Sequence, residues 1–97
     1  MRRYVFKMMY DGTEYHGFQV QNNAVTIQST IQDKLEIILG ERPPVKGCSR
    51  TDSGVHAFEY YFTADFEKNI STEKLVKALN FHLPKDIRIL SAAETND

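Results

Sequence analysis

One stretch of the chain has the residue types and spacing of a reactive centre: Gly47-Cys48-Ser49-Arg50-Thr51-Asp52-Ser53-Gly54-Val55-His56-Ala57. An arginine two residues from an aspartate can hold that carboxylate ionised and orient it. A free aspartate titrates near about 3.9 and is already anionic at neutrality. A site built on Asp52 therefore has to supply position and dehydration rather than deprotonation. Ser53 and Gly54 are small enough to let a bulky substrate approach the backbone. The same residues are also ordinary hairpin material, since Asp-Ser-Gly is turn chemistry and an Arg-x-Asp pair is commonly a surface ion pair. Cys48, Asp52 and His56, four apart, make a poor metal set. A turn does not stack them as a helix would, and Arg50 repels a cation. His56 alone suits packing or hydrogen bonding at a strand end, and Cys48 a small buried position.

A second segment, Tyr10-Asp11-Gly12-Thr13-Glu14-Tyr15-His16-Gly17-Phe18-Gln19-Val20-Gln21, combines glycines, aromatic rings and paired amides. Tyr15, Phe18, Gln19 and Gln21 could stack on and hydrogen-bond a nucleotide. They could equally form an ordered surface loop with its aromatics tucked inward. A third segment, Asn80-Phe81-His82-Leu83-Pro84-Lys85-Asp86-Ile87-Arg88-Ile89, reads as helix stop, turn and strand.

The elements that must position these segments follow from periodicity. Arg3 to Tyr10 alternates as a strand. Ile27, Ile31, Leu35 and Ile38 mark one stripe of a helix, with Thr26 as N-cap and Gly40 as its stop. Ser29 stands where a capping box has Glu or Gln, so the box is expected to be incomplete. Pro43-Pro44 forbids further helix, and Val45 to Cys48 can be a short strand. Ala57 to Phe66 alternates most clearly, with Phe58, Tyr60, Phe62, Ala64 and Phe66 on one face. A second helix follows Ser71 as N-cap, with Ile70 and Leu75 as a hydrophobic staple, carries Leu75, Ala78 and Leu79, and ends by Leu83-Pro84. Asp86 to Leu90 completes a last strand. The order β-α-β-β-α-β predicts an α+β, ferredoxin-like split βαβ fold: an antiparallel sheet with two helices on one face. Met9, Tyr61 and Leu90, mixed with Lys7, Glu59 and Arg88, then fall on the bare face. Such a mixture fits a face covered by something outside the chain, although scattered apolar residues on a solvent face are also normal.

Size and composition bound the reading. With 97 residues the chain has room for one domain, and surface scaling predicts about 5,700 Å² exposed once folded. The composition, 41% hydrophobic and 26% charged, is that of a globular protein rather than a disordered one. No apolar run approaches the length of a membrane-spanning helix, and Met1-Arg2-Arg3-Tyr4 opens as strand rather than as a signal peptide. A single cysteine excludes an internal disulfide framework and fits a reducing cytoplasm. Net charge is −1, but residues 1–50 carry seven Lys/Arg against five Asp/Glu and residues 51–97 five against eight. Any polyanion surface must come from local placement of groups such as Arg2, Arg3, Lys7, Arg42, Lys46 and Arg50.

Three motifs, in order, make the chain resemble the tRNA pseudouridine synthase A family. Tyr10-Asp11-Gly12-Thr13-x-Tyr15-x-Gly17-Phe18-Gln19-x-Gln21 resembles the family's Y-D-G-x-x-[FY]-x-G-[WF]-Q-x-Q. Ser49 to Ala57 resembles its catalytic [GS]-R-T-D-[AS]-G-V-H-A, and Asn80 to Ile89 its N-x-x-L-P-x-D-I-x-[IV]. The likeness runs from about Arg3 to Leu90. Phe18 stands where many members have Trp. Members are also longer, with a second domain that holds an active-site tyrosine and an F-H-A-R motif beyond the point where this chain reaches Glu94-Thr95-Asn96-Asp97. The resemblance thus implies that residues 1–97 form an N-terminal catalytic-aspartate domain, inactive by itself.

The resemblance implies an enzyme that isomerises uridine to pseudouridine in the anticodon stem-loop of tRNA (family positions 38–40), with no cofactor and no metal, in the cytoplasm, as a homodimer. Asp52 matches the catalytic aspartate, with Arg50, Thr51 and His56 as supporting residues and Arg50, Gln19, Gln21, Phe18 and Tyr15 toward RNA. A carboxylate there could attack C1′, stabilise positive charge on it, or remove the C2′ proton. Two other classes fit the element order. One is a non-catalytic RNA-binding module, although the Ala57–Phe66 segment lacks the usual K/R-G-F/Y-G/A-F-V-x-F/Y pattern. The other is a small-ligand regulatory domain of the kind whose sheets pair into dimers.

Overall fold

A computed structural model describes residues 2–11, 26–47 and 57–95, with Ala57 and Phe58 described as backbone only. The elements run β1 (Arg2–Tyr10), α1 (Ile27–Leu39), β2 (Val45–Gly47), β3 (Ala57–Phe66), α2 (Thr72–His82) and β4 (Ile87–Thr95). The sheet order is β2-β3-β1-β4, antiparallel throughout. This is the ferredoxin-like split βαβ arrangement expected from the element order: each helix links two parallel strands that have a third, antiparallel strand between them.

Alternation decides the core. Tyr4, Phe6, Met8 and Tyr10 from β1 and Tyr60, Phe62, Ala64 and Phe66 from β3 are all buried on the helix side. Their aromatic rings stack across the strands, Tyr4 on Phe66 at 4.4 Å and Phe6 on Phe62 at 4.7 Å, both nearly parallel. Helix α1 buries Ile27, Ile31, Leu35 and Leu39 against this layer. Its stripe therefore ends one residue later than expected, with Leu39 in the deep position and Ile38 at its margin. Helix α2 buries Leu75 and Leu79, and Ile70, the N′ half of the expected staple, packs on the same core. The total exposed surface, 5971 Å², is close to the value expected for a folded chain of this length.

Two local expectations need correction. The capping box of α1 is complete. Ser29 N–H donates to Thr26 Oγ1 and Thr26 N–H donates to Ser29 Oγ, both at 3.2 Å. Serine's hydroxyl is short, but at this position it reaches the cap backbone as a glutamate would. The helix ends as read, at Gly40 in the left-handed region with φ 79°. Strand β4 runs on to Thr95 rather than stopping at Leu90. Lys7 pairs with Ser91 and Met8 with Ile89, so Leu90 is an extra, bulged residue. The bulge reverses the inward parity of the strand: Ile87 and Ile89 are buried before it, and Ala92, opposite Phe6, turns inward after it.

Side-chain amides hold the two sheet borders. Gln28 and Gln32 of α1 donate to the carbonyls of Val45, the first residue of β2, and of Pro43, just before the strand. At the other border Asn80 of α2 donates through Nδ2 to the Ile89 carbonyl (2.9 Å), and its Oδ1 accepts from Ile89 N–H (2.7 Å). Among the described residues no helix is long and apolar enough to cross a membrane.

Candidate active site

The three motifs lie far apart in sequence, yet their described ends meet at one end of the sheet. Tyr10, the last residue of β1, pairs with Ala57 on one side and with Ile87 on the other. Ala57 closes the Arg-Thr-Asp segment, and Ile87 belongs to the Asn80–Ile89 segment. Asp11 continues the junction by donating its N–H to the Asp86 carbonyl at 2.8 Å. The Tyr10 ring meets the Tyr60 ring edge-on, centroids 5.8 Å apart, which fixes the strand end sterically. Gly47, where the Arg-Thr-Asp segment begins, ends β2 opposite Phe62.

A second bulge shapes this junction. Met8 faces Tyr60 while Tyr10 faces Ala57, so Phe58 and Glu59 together oppose Met9. A bulge bends its strand and re-aims the neighbouring residues, here at the point where β3 receives the segment that carries Asp52. A hollow of about 190 Å³ opens beside the junction, lined by Met9, Tyr10, Asp11, Lys85, Asp86 and Arg88. Two cations and two carboxylates thus rim an apolar strand end.

Asp52, Arg50, Thr51, His56, Tyr15, Phe18, Gln19 and Gln21 lie outside the described residues, as does Cys48 of the metal reading. Among the described residues no three His, Cys, Asp or Glu side chains gather as metal ligands. Tyr60 and Phe62, the rings that make an RNA-stacking strand tempting, belong to the core. Asn80 has a role its motif alone does not reveal: it ties the end of α2 to the border strand next to the Leu90 bulge. Its place in the third motif was the available signal.

The electrostatics of the open sheet face are resolved at two places. Arg3 donates to both Asp65 oxygens, at 2.9 and 3.1 Å, and this hydrogen bonding holds the Asp65 carboxyl below its ordinary 3.8. Tyr61 donates its hydroxyl to Glu59 at 2.7 Å, which raises the phenol above its ordinary 10.0.

Comparison with known proteins agrees with the convergence of the motifs. A family model described as tRNA pseudouridine synthase matches residues 7–97. The chain is 42% identical over its whole length to tRNA pseudouridine synthase A of Aquifex aeolicus. It is 46% identical, again over its whole length, to the protein of the same name from a Thermoanaerobacter species. A third relative so named, from Ruminiclostridium cellulolyticum, is 45% identical over 97% of the chain. The chain spans about two fifths of the length of these relatives, 40% of the first two and 38% of the third. A match that takes in nearly every residue and all three converging motifs places the chain in the tRNA pseudouridine synthase family.

Proposed function

We propose that residues 1–97 are the N-terminal, catalytic-aspartate domain of a synthase that converts uridine to pseudouridine in the anticodon stem-loop of tRNA. The observation that carries this reading is the Arg50-Thr51-Asp52 motif, within a chain that matches the family from residue 7 to residue 97. The pairing of Tyr10 with both Ala57 and Ile87 supports it, because it gathers the borders of the three motifs.

The reaction is an isomerisation that balances within one nucleotide. The C1′–N1 bond breaks, the uracil turns, C1′–C5 forms, C5 loses a proton and N1 gains one. Asp52 acts at the sugar, and attack on C1′, stabilisation of positive charge there and removal of the C2′ proton are all open to its carboxylate. Arg50 pairs with the carboxylate and keeps it anionic. Thr51 and His56 support that placement, while Tyr15, Phe18, Gln19 and Gln21 contact the RNA. The target base sits inside a stem, and its extrusion costs a few kcal/mol that basic and aromatic contacts must offset. In this reading the intact synthase works in the cytoplasm as a homodimer whose two copies share one tRNA, so that each carries a modest basic surface.

Release of tritium from C5-labelled tRNA tests the assignment. In the intact synthase Asp52→Asn abolishes release and leaves tRNA binding largely unchanged, whereas release at the wild-type rate refutes the role of Asp52. Residues 1–97 alone give no turnover, and efficient turnover by them contradicts the division into two parts.

A further inference from the structure

The sheet face away from the helices has a charge and an aromatic group that the core does not need. Its charged side chains among the described residues are Arg3, Lys7, Lys46 and Arg88 against Glu59 and Asp65, a net +2 within a chain of net −1. Arg3 and Asp65 neutralise each other. Lys7 lies 3.8 Å from Glu59, whereas Lys46 and Arg88 have no ion-pair partner among the described residues. Register puts these groups on a diagonal. Lys46 of β2 sits opposite Thr63, two residues along β3 from Tyr61. Tyr61 pairs directly with Lys7 of β1, and Arg88 of β4 pairs with Met9, two residues along β1 from Lys7. Three inter-strand steps separate Lys46 from Arg88, roughly 14 Å of lateral travel.

Tyr61 is the aromatic side chain exposed on this face, at 41%. Glu59 holds its hydroxyl, so the ring has lost part of its freedom before any ligand arrives and its flat side can be offered at reduced entropic cost. The hollow beside it, bounded by Lys46, Gly47, Tyr61, Phe62 and Thr63, is about 130 Å³. That is too small to enclose a nucleoside, given that pockets for small molecules run from about 300 Å³ upward. The geometry favours a strand laid across the face over a ligand swallowed by it.

We propose that this face is a docking track for an unpaired segment of the tRNA substrate, with one base stacked on Tyr61 and the flanking phosphates met by Lys7, Lys46 and Arg88. The assignment rests on the tRNA reading above and adds to it a surface separate from the Asp52 segment. Aromatic stacking with flanking cations is sequence-tolerant, because every base has a π face and every nucleotide a phosphate. Positive residual charge supplies the complementarity, and the paired Arg3–Asp65 marks the end of the track.

The test is binding of a fluorescein-labelled, unmodified tRNA transcript to the 97-residue chain. Tyr61→Leu weakens binding by about tenfold to a hundredfold, the range for loss of one stacked base. Tyr61→Phe, which keeps the ring and loses only the hydroxyl and its hold on Glu59, weakens binding far less than Tyr61→Leu. Lys7→Gln and Lys46→Gln each lower the slope of log affinity against log salt by about 0.7. A tRNA carrying 5-iodouridine crosslinks on irradiation to Tyr61. Thermal unfolding confirms that the variants remain folded, as expected for an exposed side chain. Wild-type affinity in Tyr61→Leu, equal losses in Tyr61→Leu and Tyr61→Phe, or no association of tRNA with the wild-type chain overturns the proposal. Wild-type affinity in Tyr61→Leu alongside an active parent synthase sinks the track and leaves the function standing. An inactive parent synthase with Tyr61-dependent RNA binding does the reverse.

Discussion

Asn80 and Ile89 form a closed pair: one side-chain amide donates to the strand carbonyl at 2.9 Å and accepts from the same residue's N–H at 2.7 Å. The amide imitates a neighbouring strand at the sheet border and couples the end of α2 to β4. Asn80→Ala removes both bonds and leaves two partly buried backbone groups without protein partners. With about 1 kcal/mol for each bond, the loss is about 2 kcal/mol. For a domain of this size that lowers the melting midpoint by roughly 8–16 °C. Asn80→Asp keeps an acceptor but sets a carboxylate against the Ile89 carbonyl, and is expected to fall at least as far. Urea unfolding of the two variants checks both statements, and wild-type midpoints would show that the pair adds nothing.

Thr26 and Ser29 share the first turn of α1, and Thr26 is fully buried. Thr26→Ala costs about 1–2 kcal/mol, the upper part of the range for an N-cap. Ser29→Ala costs less: it removes the hydroxyl's contacts to the Thr26 N–H, hydroxyl and carbonyl but keeps the bond from Ser29 N–H to Thr26 Oγ1, which caps the helix. Since the two residues bond each other, the double variant loses less than the sum of the single ones. A denaturant-based double-mutant cycle measures the difference.

Asp65 is held below its ordinary 3.8 by its hydrogen bonds to Arg3. A carboxylate whose folded-state pKa is depressed stabilises the fold fully above its unfolded value and loses that contribution as pH falls through the folded value. Stability of the wild type therefore falls on acidification below about 4, and Asp65→Asn removes part of that fall. The pair is partly exposed, so the effect shrinks in high salt. Thermal midpoints across the acid range, with and without salt, test the sign. A variant with the same acid dependence as wild type contradicts it.

Tyr61 gives the opposite sign. Its hydroxyl donates to Glu59, which favours the neutral phenol and raises its pKa above 10.0. In a spectrophotometric titration Tyr61 ionises above that value in the wild type, and Glu59→Ala brings it back down. Any stabilisation from the contact is present at neutral pH and disappears as pH rises through the raised value. Unchanged titration in Glu59→Ala refutes the contact in solution.

Phe6 is completely buried and stacks on Phe62 in the centre of the sheet. Phe6→Ala loses both the buried ring and its stacking partner, about 3–5 kcal/mol. Against a total of about 5–15 kcal/mol for a domain, this leaves the chain marginal. A steep drop in the urea midpoint is the expected reading.

Much of this fold could be read from the chain because inward and outward residues alternate along Arg3–Tyr10 and Glu59–Phe66, and the buried stripe of α1 keeps helical spacing. Thr26, Gly40 and Ser71 also carry helix-end chemistry that local sequence reveals. The far half of β4 could not be read so. Ser91-Ala92-Ala93-Glu94-Thr95 has no apolar alternation, and it is a strand because β1 offers nine residues of backbone to pair with. The Leu90 bulge conceals the strand further by reversing its parity. At the site the motifs showed which residues could do chemistry, while their assembly around Tyr10 depends on register between segments dozens of residues apart. No local pattern contains that register.

The placement of β1 also sets the timing of folding. It is one of the two interior strands of the sheet, yet it leaves the ribosome before either neighbour, and Arg3 must wait for Thr95 to be made before that pairing can close. At about 5–20 residues per second, its apolar side remains uncovered for several seconds of synthesis. High sequence separation between partners also slows the final closure. The chain is therefore most exposed to misassembly during its own translation, and the nascent Tyr4–Tyr10 stretch is where a chaperone would be expected to bind.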